Sequence, residues 1–185
     1  MKWTKYQVDE YFKVMEASDN SFVINTFKNE VEVGSKVLEL GFGCGKDYND
    51  LKDFYQFTLS DYSDEFVERF NSRNQDRALV LDAKTLDIDS KFDVIYSNKV
   101  LQVFNDQEMM ISFSRQAEVL KDDGIIFHTL WLGDSAFESD NYYCNYVNIK
   151  RIERMLANKF HIVTLIKYTE MEVDDSIIVI AKKIS

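Results

Sequence analysis

Val37-Leu38-Glu39-Leu40-Gly41-Phe42-Gly43-Cys44-Gly45 is the stretch on which the fold turns. Its short apolar run reads as a buried strand, and the run ends in an acidic residue before opening into a loop with glycine at every second position. Glycine tolerates positive φ and has no Cβ, so a ligand can lie directly against the backbone of such a loop. A dinucleotide fingerprint, G-x-G-x-x-G, places its third glycine where helix and strand pack together. Counted from Gly41, that position is Lys46. The spacing E-x-G-x-G-x-G is therefore a different kind of loop.

Working outward, strands alternate with helices. Upstream, the spacing predicts a helix over Tyr6–Met15 and a second over Ser21–Lys28. The first strand, Lys36–Leu40, feeds through the glycine loop into a helix near Lys46–Phe54. Strand 2 reads as Phe57–Ser60, followed by Asp61 and a helix from Ser63 through Phe70. Strand 3 is Ala78–Leu81, closed by Asp82, and strand 4 is Phe92–Tyr96. A long helix over Asp106–Leu120 ends in the polar turn Lys121–Gly124, and Ile125–Trp131 is strand 5. A loop over Leu132–Val147 precedes a helix over Asn148–Lys159. Two closing strands, His161–Ile166 and Ser176–Ala181, are joined by a turn too short for a crossover, so they pair antiparallel. The alternation predicts an α/β fold with a mostly parallel sheet.

Composition narrows the partners. The 185 residues make about one domain, and the formal net charge of −10 repels phosphate backbones. DNA and RNA are poor default partners. Lys36, Lys46 and Lys52 are interleaved with Asp47, Asp50 and Asp53, so no basic patch stands out. Cys44 and Cys144 make neither a disulfide framework nor a metal-ligand cluster, and no metal is expected. The amino-terminal residues around Trp3 lack the apolar core of a signal peptide, and no apolar run is long enough to span a membrane. A cytoplasmic location is the expectation.

The E-x-G-x-G-x-G loop, followed by acids at successive strand ends (Asp61, Asp82) and by Asp93-Val94-Ile95-Tyr96-Ser97-Asn98 on strand 4, resembles the class I S-adenosylmethionine (SAM)-dependent methyltransferases. The resemblance runs from about Lys36 to Lys183. It implies a Rossmann-like three-layer sandwich with helices on both faces, a seven-stranded sheet in the order 3-2-1-4-5-7-6 and strand 7 antiparallel. It also implies one methyltransferase domain over 1–185, with 1–33 a helical cap and 34–185 the SAM-binding core.

The same resemblance distributes the cofactor over the chain. Gly41, Gly43 and Gly45 let the methionyl portion pass the backbone, and Glu39 stabilises its ammonium. Asp61 accepts from the ribose hydroxyls, and Asp82 accepts from the adenine amino group with Tyr62 and Ala83 flanking the ring. Ser97 lines the methyl-transfer site beside Asn98. The product is S-adenosylhomocysteine (SAH). Amino-methyltransferases of DNA carry an Asn/Asp-Pro-Pro-aromatic motif near Asn98, and this chain contains no proline. In Val100-Leu101-Gln102-Val103-Phe104, Val103 stands where many small-molecule members have histidine.

Methyl transfer from a sulfonium needs positioning and exclusion of water more than a catalytic group. A base is required only when the acceptor must lose a proton on attack. His128 is the candidate base, although its place before the ligand end of strand 5 also suits a buried, hydrogen-bonded histidine. Tyr11 on the first helix, Asn98, and Tyr142 and Tyr143 in the 132–147 loop are the candidate acceptor contacts. The function expected is methyl transfer from SAM to a small molecule at O, N or S. The alternatives are a non-catalytic SAM-binding module and a protein or RNA methyltransferase of the same fold.

Overall fold

The computed structural model describes residues 4–16, 18–139 and 142–184. In chain order the elements are α1 (Lys5–Glu16), α2 (Ser21–Glu30), β1 (Lys36–Leu40), α3 (Lys46–Leu51), β2 (Gln56–Asp61), α4 (Asp64–Arg73), β3 (Ala78–Val80) and β4 (Phe92–Asn98). After a 3-10 turn at Leu101–Val103 come α5 (Asp106–Val119), β5 (Leu120–Trp131), β6 (Ala136–Ser139), β7 (Tyr142–Asn145), α6 (Ile149–Leu156), β8 (Phe160–Tyr168) and β9 (Ser176–Lys183). The main sheet runs β3-β2-β1-β4-β5-β9-β8, the expected order, with β9 antiparallel to both of its neighbours. Among the described residues no helix is long and apolar enough to cross a membrane.

Local chemistry explains the element boundaries. Asn105 and Glu108 form a reciprocal capping box that starts α5. Asn148 caps α6 by accepting from the Arg151 N–H at 3.0 Å. On α4 the buried side chains Phe66, Val67 and Phe70 share one face, and Asp64 and Glu65 occupy the first turn, where the helix dipole favours anions.

The sheet separates two apolar layers. Phe92, Ile95, Leu120, Ile126 and Val179 pack under α5 and α6. Val94, Tyr96, Phe127 and Ile178 pack under α2, where the Phe27 ring lies 5.0–5.1 Å from those of Tyr55, Tyr96 and Phe127. Arg69 of α4 pairs with Asp9 of α1, and the rings of Phe12 and Phe66 stack with centroids 6.1 Å apart.

Three expectations need correction. The helices predicted to reach Phe54 and Lys159 stop at Leu51 and Leu156. The turn at 121–124 exists as a bulge within β5, whose pairing to β4 jumps from Phe92–Leu120 to Val94–Ile125 while Asp123 takes a φ of 64°. The 132–147 loop is not unstructured, since β6 and β7 form a separate two-stranded antiparallel sheet within it.

Candidate functional site

The glycine loop leaves the carboxyl end of β1 and is drawn against β2. Gly41 N–H and Phe42 N–H both donate to the Ser60 carbonyl, at 2.7 and 3.1 Å. Gly41 and Gly43 have φ of 67° and 55°, a region costly to residues with a Cβ. Space is closed as well. A Cβ on Gly41 would come within 2.6 Å of a Val100 methyl, and one on Gly43 within 2.9 Å of the Tyr11 hydroxyl. The loop thus makes close approaches to α1 on one side and to the segment after β4 on the other.

Acidic side chains surround this loop. Glu39 is 3% exposed, and its Oε2 has no hydrogen-bond partner. Burial drives its carboxyl well above the usual carboxylate range, and the nearby charges of Asp47 and Asp61 push in the same direction. An orphaned buried oxygen is rare and needs a physical reason. Asp61 is better provided for: Oδ2 accepts from Gly43 N–H at 3.1 Å, and Oδ1 from Ser63 N–H at 2.9 Å. Its pKa is nonetheless raised by burial, against the lowering effect of the Ser63, Gly43 and Tyr62 N–H groups. Tyr11 lies over the loop, and burial raises its hydroxyl pKa, with smaller contributions from Cys44, Asp47, Asp61 and Glu39.

Asp47, which the sequence shows only as one of the acids interleaved with Lys36, Lys46 and Lys52, is a hub. Its Oδ2 accepts from Tyr96 Oη at 2.5 Å and Asn98 Nδ2 at 3.0 Å, and its Oδ1 accepts from Asn20 Nδ2 at 2.7 Å. Asn98 in turn accepts from the Thr129 hydroxyl at 2.5 Å. Lys46 reaches the other way, donating to the Met15 carbonyl at 3.1 Å and to Ser18, which fastens the end of α1.

Strand parity separates Ser97 from Asn98. Tyr96 and Asn98 face Asp47, and Ser97 faces the opposite layer, as successive strand residues must. Ser97 is fully buried with its hydroxyl 2.8 Å from His128 Nδ1, so it does not line a site beside Asn98. His128 Nε2 lies 2.7 Å from Gln116 Oε1. Gln116 donates to Ser112, whose hydroxyl donates to the Ala83 carbonyl at 2.6 Å. This fully buried imidazole, pushed down to about 3 by desolvation, has both nitrogens engaged and cannot meet an acceptor. His128 is corrected from candidate base to core histidine.

The other predicted residues fall as follows. Leu81 N–H donates to the Asp61 carbonyl at 2.9 Å, which brings the end of β3 beside Asp61. Asp82 there accepts from Lys84 N–H at 2.8 Å, Ala83 is buried, and Tyr62 is 56% exposed. Tyr143 is half-buried in β7, while Trp3 and the Tyr142 side chain lie outside the described residues. Two surface grooves, of about 750 and 520 Å³, open at the amino ends of the parallel strands, and no residue of the glycine loop lines them. The convergence of Glu39, Asp47, Asp61 and Tyr11 at the carboxyl ends carries more weight than groove size, because ligands of open α/β sheets bind at that edge.

Residues 37–124 match the methyltransferase domain family. No curated protein matches the chain in sequence. Among solved structures, 1,6-didemethyltoxoflavin-N1-methyltransferase of Burkholderia thailandensis, with its substrate and SAH bound, superposes with a TM-score of 0.79 at 15% identity. That match covers 97% of this chain and 85% of the other. The glycopeptide N-methyltransferase MtfA, complexed with SAH, gives 0.75 at 13% identity, with 91% of each chain covered. A SAM-dependent methyltransferase from Clostridium acetobutylicum gives 0.72 at 16% identity, over 94% of this chain and 96% of that one. At such identities the likeness is one of fold.

Proposed function

We propose that the chain is a class I methyltransferase that transfers the methyl group of SAM to a small-molecule acceptor, a reading supported by the methyltransferase-domain match over residues 37–124 and by the strand order of the sheet. The observation that carries this reading is the orphaned Glu39 Oε2 on β1, two residues before the glycine loop. A buried carboxyl without a donor suits the ammonium of an amino-acid moiety. Bound SAM supplies an electrophilic methyl on a sulfonium that leaves as a neutral thioether.

This chain's own residues do the rest. Glu39 would hold the ammonium end, and Asp61, already fixed by Gly43 and Ser63, would accept from the ribose hydroxyls. Asp82 and Ala83 would hold the adenine, with exposed Tyr62 beside them. Asn98, locked between Asp47 and Thr129, and Tyr11 present a fixed face to the acceptor. His128, sealed in the core, takes no part in removing a proton from the acceptor. A small acceptor fits the short β6–β7 hairpin, the described insertion over that side. The N-methyltransferases of similar fold act on a toxoflavin precursor and a glycopeptide, which supports nitrogen as one acceptor atom.

Calorimetry with SAH and mass spectrometry of SAM with a metabolite panel test this reading together. Saturable SAH binding with acceptor-dependent loss of SAM is the expected result. Absence of any heat with SAM or SAH, or stabilisation by NAD instead, overturns it.

A further inference from the structure

Gln102 carries a second orphaned atom. The residue sits in the 3-10 turn after β4 and is 6% exposed, and its Oε1 has no hydrogen-bond partner. Its orientation is not arbitrary, because Nε2 donates to the Lys99 carbonyl and a flipped amide would set two acceptors against each other. A buried acceptor left unmade costs free energy that an apolar residue of the same size would avoid.

The turn that carries Gln102 lies between the glycine loop and β7. Two residues earlier, Val100 abuts Gly41 of the glycine loop, and Asn98 is held by Asp47. Overhead, β7 is tied to the same turn, with Asn145 Nδ2 donating to the Phe104 carbonyl at 3.0 Å and to Asp106 at 3.1 Å. Arg151 braces this roof through Asp106, Asn145 and the Tyr146 carbonyl. Charge is also settled. The Lys99 ammonium lies 3.5 Å from the Trp131 ring centroid and is committed to Ser176, the Leu130 carbonyl and Glu170. It has no donor left for an anion.

We propose that Gln102 determines acceptor specificity: its Oε1 takes a hydrogen bond from an N–H or O–H group of a neutral small molecule seated beneath the β6–β7 hairpin. This inference rests on the methyl-transfer reading, and SAH binding separates the two.

Ligand-observed NMR on the SAH complex tests it with matched probes: phenol and anisole, indole and N-methylindole, 2-pyridone and N-methylpyridone. The donor-bearing member of each pair should bind about tenfold more tightly, the worth of one neutral hydrogen bond. Gln102→Met, close in volume and without the oxygen, should erase that preference and leave SAH affinity unchanged. Gln102→Glu should not restore it for the neutral probes with the same ranking, because its charge favours cations. The inference is overturned if no probe binds while SAH does, if Gln102→Met keeps the preference, or if SAH affinity falls in step with probe affinity. Loss of SAH binding by the wild type would instead remove the methyl-transfer reading beneath it.

Discussion

The Tyr11 hydroxyl lies 2.9 Å from the place where a β-carbon on Gly43 would sit. Helix α1 and the glycine loop are therefore fitted to each other, and the fit is reinforced by Lys46, which grips the end of α1 from the first residue of α3.

Gly43→Val tests that fit. The substitution strains a residue at φ 55°, at about 1–2 kcal/mol, and displaces Tyr11 from the loop. SAH affinity should fall at least about tenfold by calorimetry, and protease cleavage within α1 should quicken. Unchanged affinity would show that the loop does not approach the ligand.

Asp61→Ala removes the acceptor for Gly43 N–H and Ser63 N–H as well as for the ribose. Two backbone donors lose their partner, so SAH affinity and stability should fall together, each by about 1–3 kcal/mol. Asp61→Asn keeps one oxygen and should fall between. Calorimetry and urea unfolding on the three proteins decide the order.

Glu39 sets a pH dependence of stability. Its folded pKa lies well above the ordinary 4.5, so the unfolded chain gives up this proton first. Its stabilising contribution is full below about pH 4.5 and is lost as pH rises toward the folded pKa. Glu39→Gln removes that loss. The variant should melt above the wild type at pH 8, by about 2–4 °C per kcal/mol recovered, and the gap should close toward pH 4.5. The same variant should bind SAH more weakly, lacking a carboxylate for the ammonium.

His128 works in the opposite direction. Its folded pKa of about 3 is below the ordinary 6.5, so its stabilising contribution is full above pH 6.5 and is lost as pH falls toward 3. His128→Gln should flatten the fall in urea midpoint between pH 7 and pH 4.5. If His128 were the base, the variant would instead abolish turnover at full cofactor occupancy.

Much of this was legible in the chain because periodicity and strand ends report on backbone. The run Val37–Leu40, its glycine loop and the acids Asp61 and Asp82 mark the carboxyl edge of a parallel sheet without any tertiary knowledge. Asp47 was not legible. In sequence it is one of several acids among lysines on a short helix, and only Tyr96, Asn98 and Asn20, distant in the chain, draw it inside. Ser97 misled because a strand end was read as a point, whereas alternation sends adjacent side chains to opposite layers. The β6–β7 hairpin was missed because the described side chains of β6 are exposed throughout and show no inward face.

The contact of Val100 with Gly41 makes one joint common to both halves of the reaction. A chain that diversifies its acceptors has to hold that joint constant and vary the residues downstream of it. New selectivities, natural or engineered, should accumulate from position 102 onward and in the hairpin above, and changes at Val100 should register first as a weakened grip on the donor.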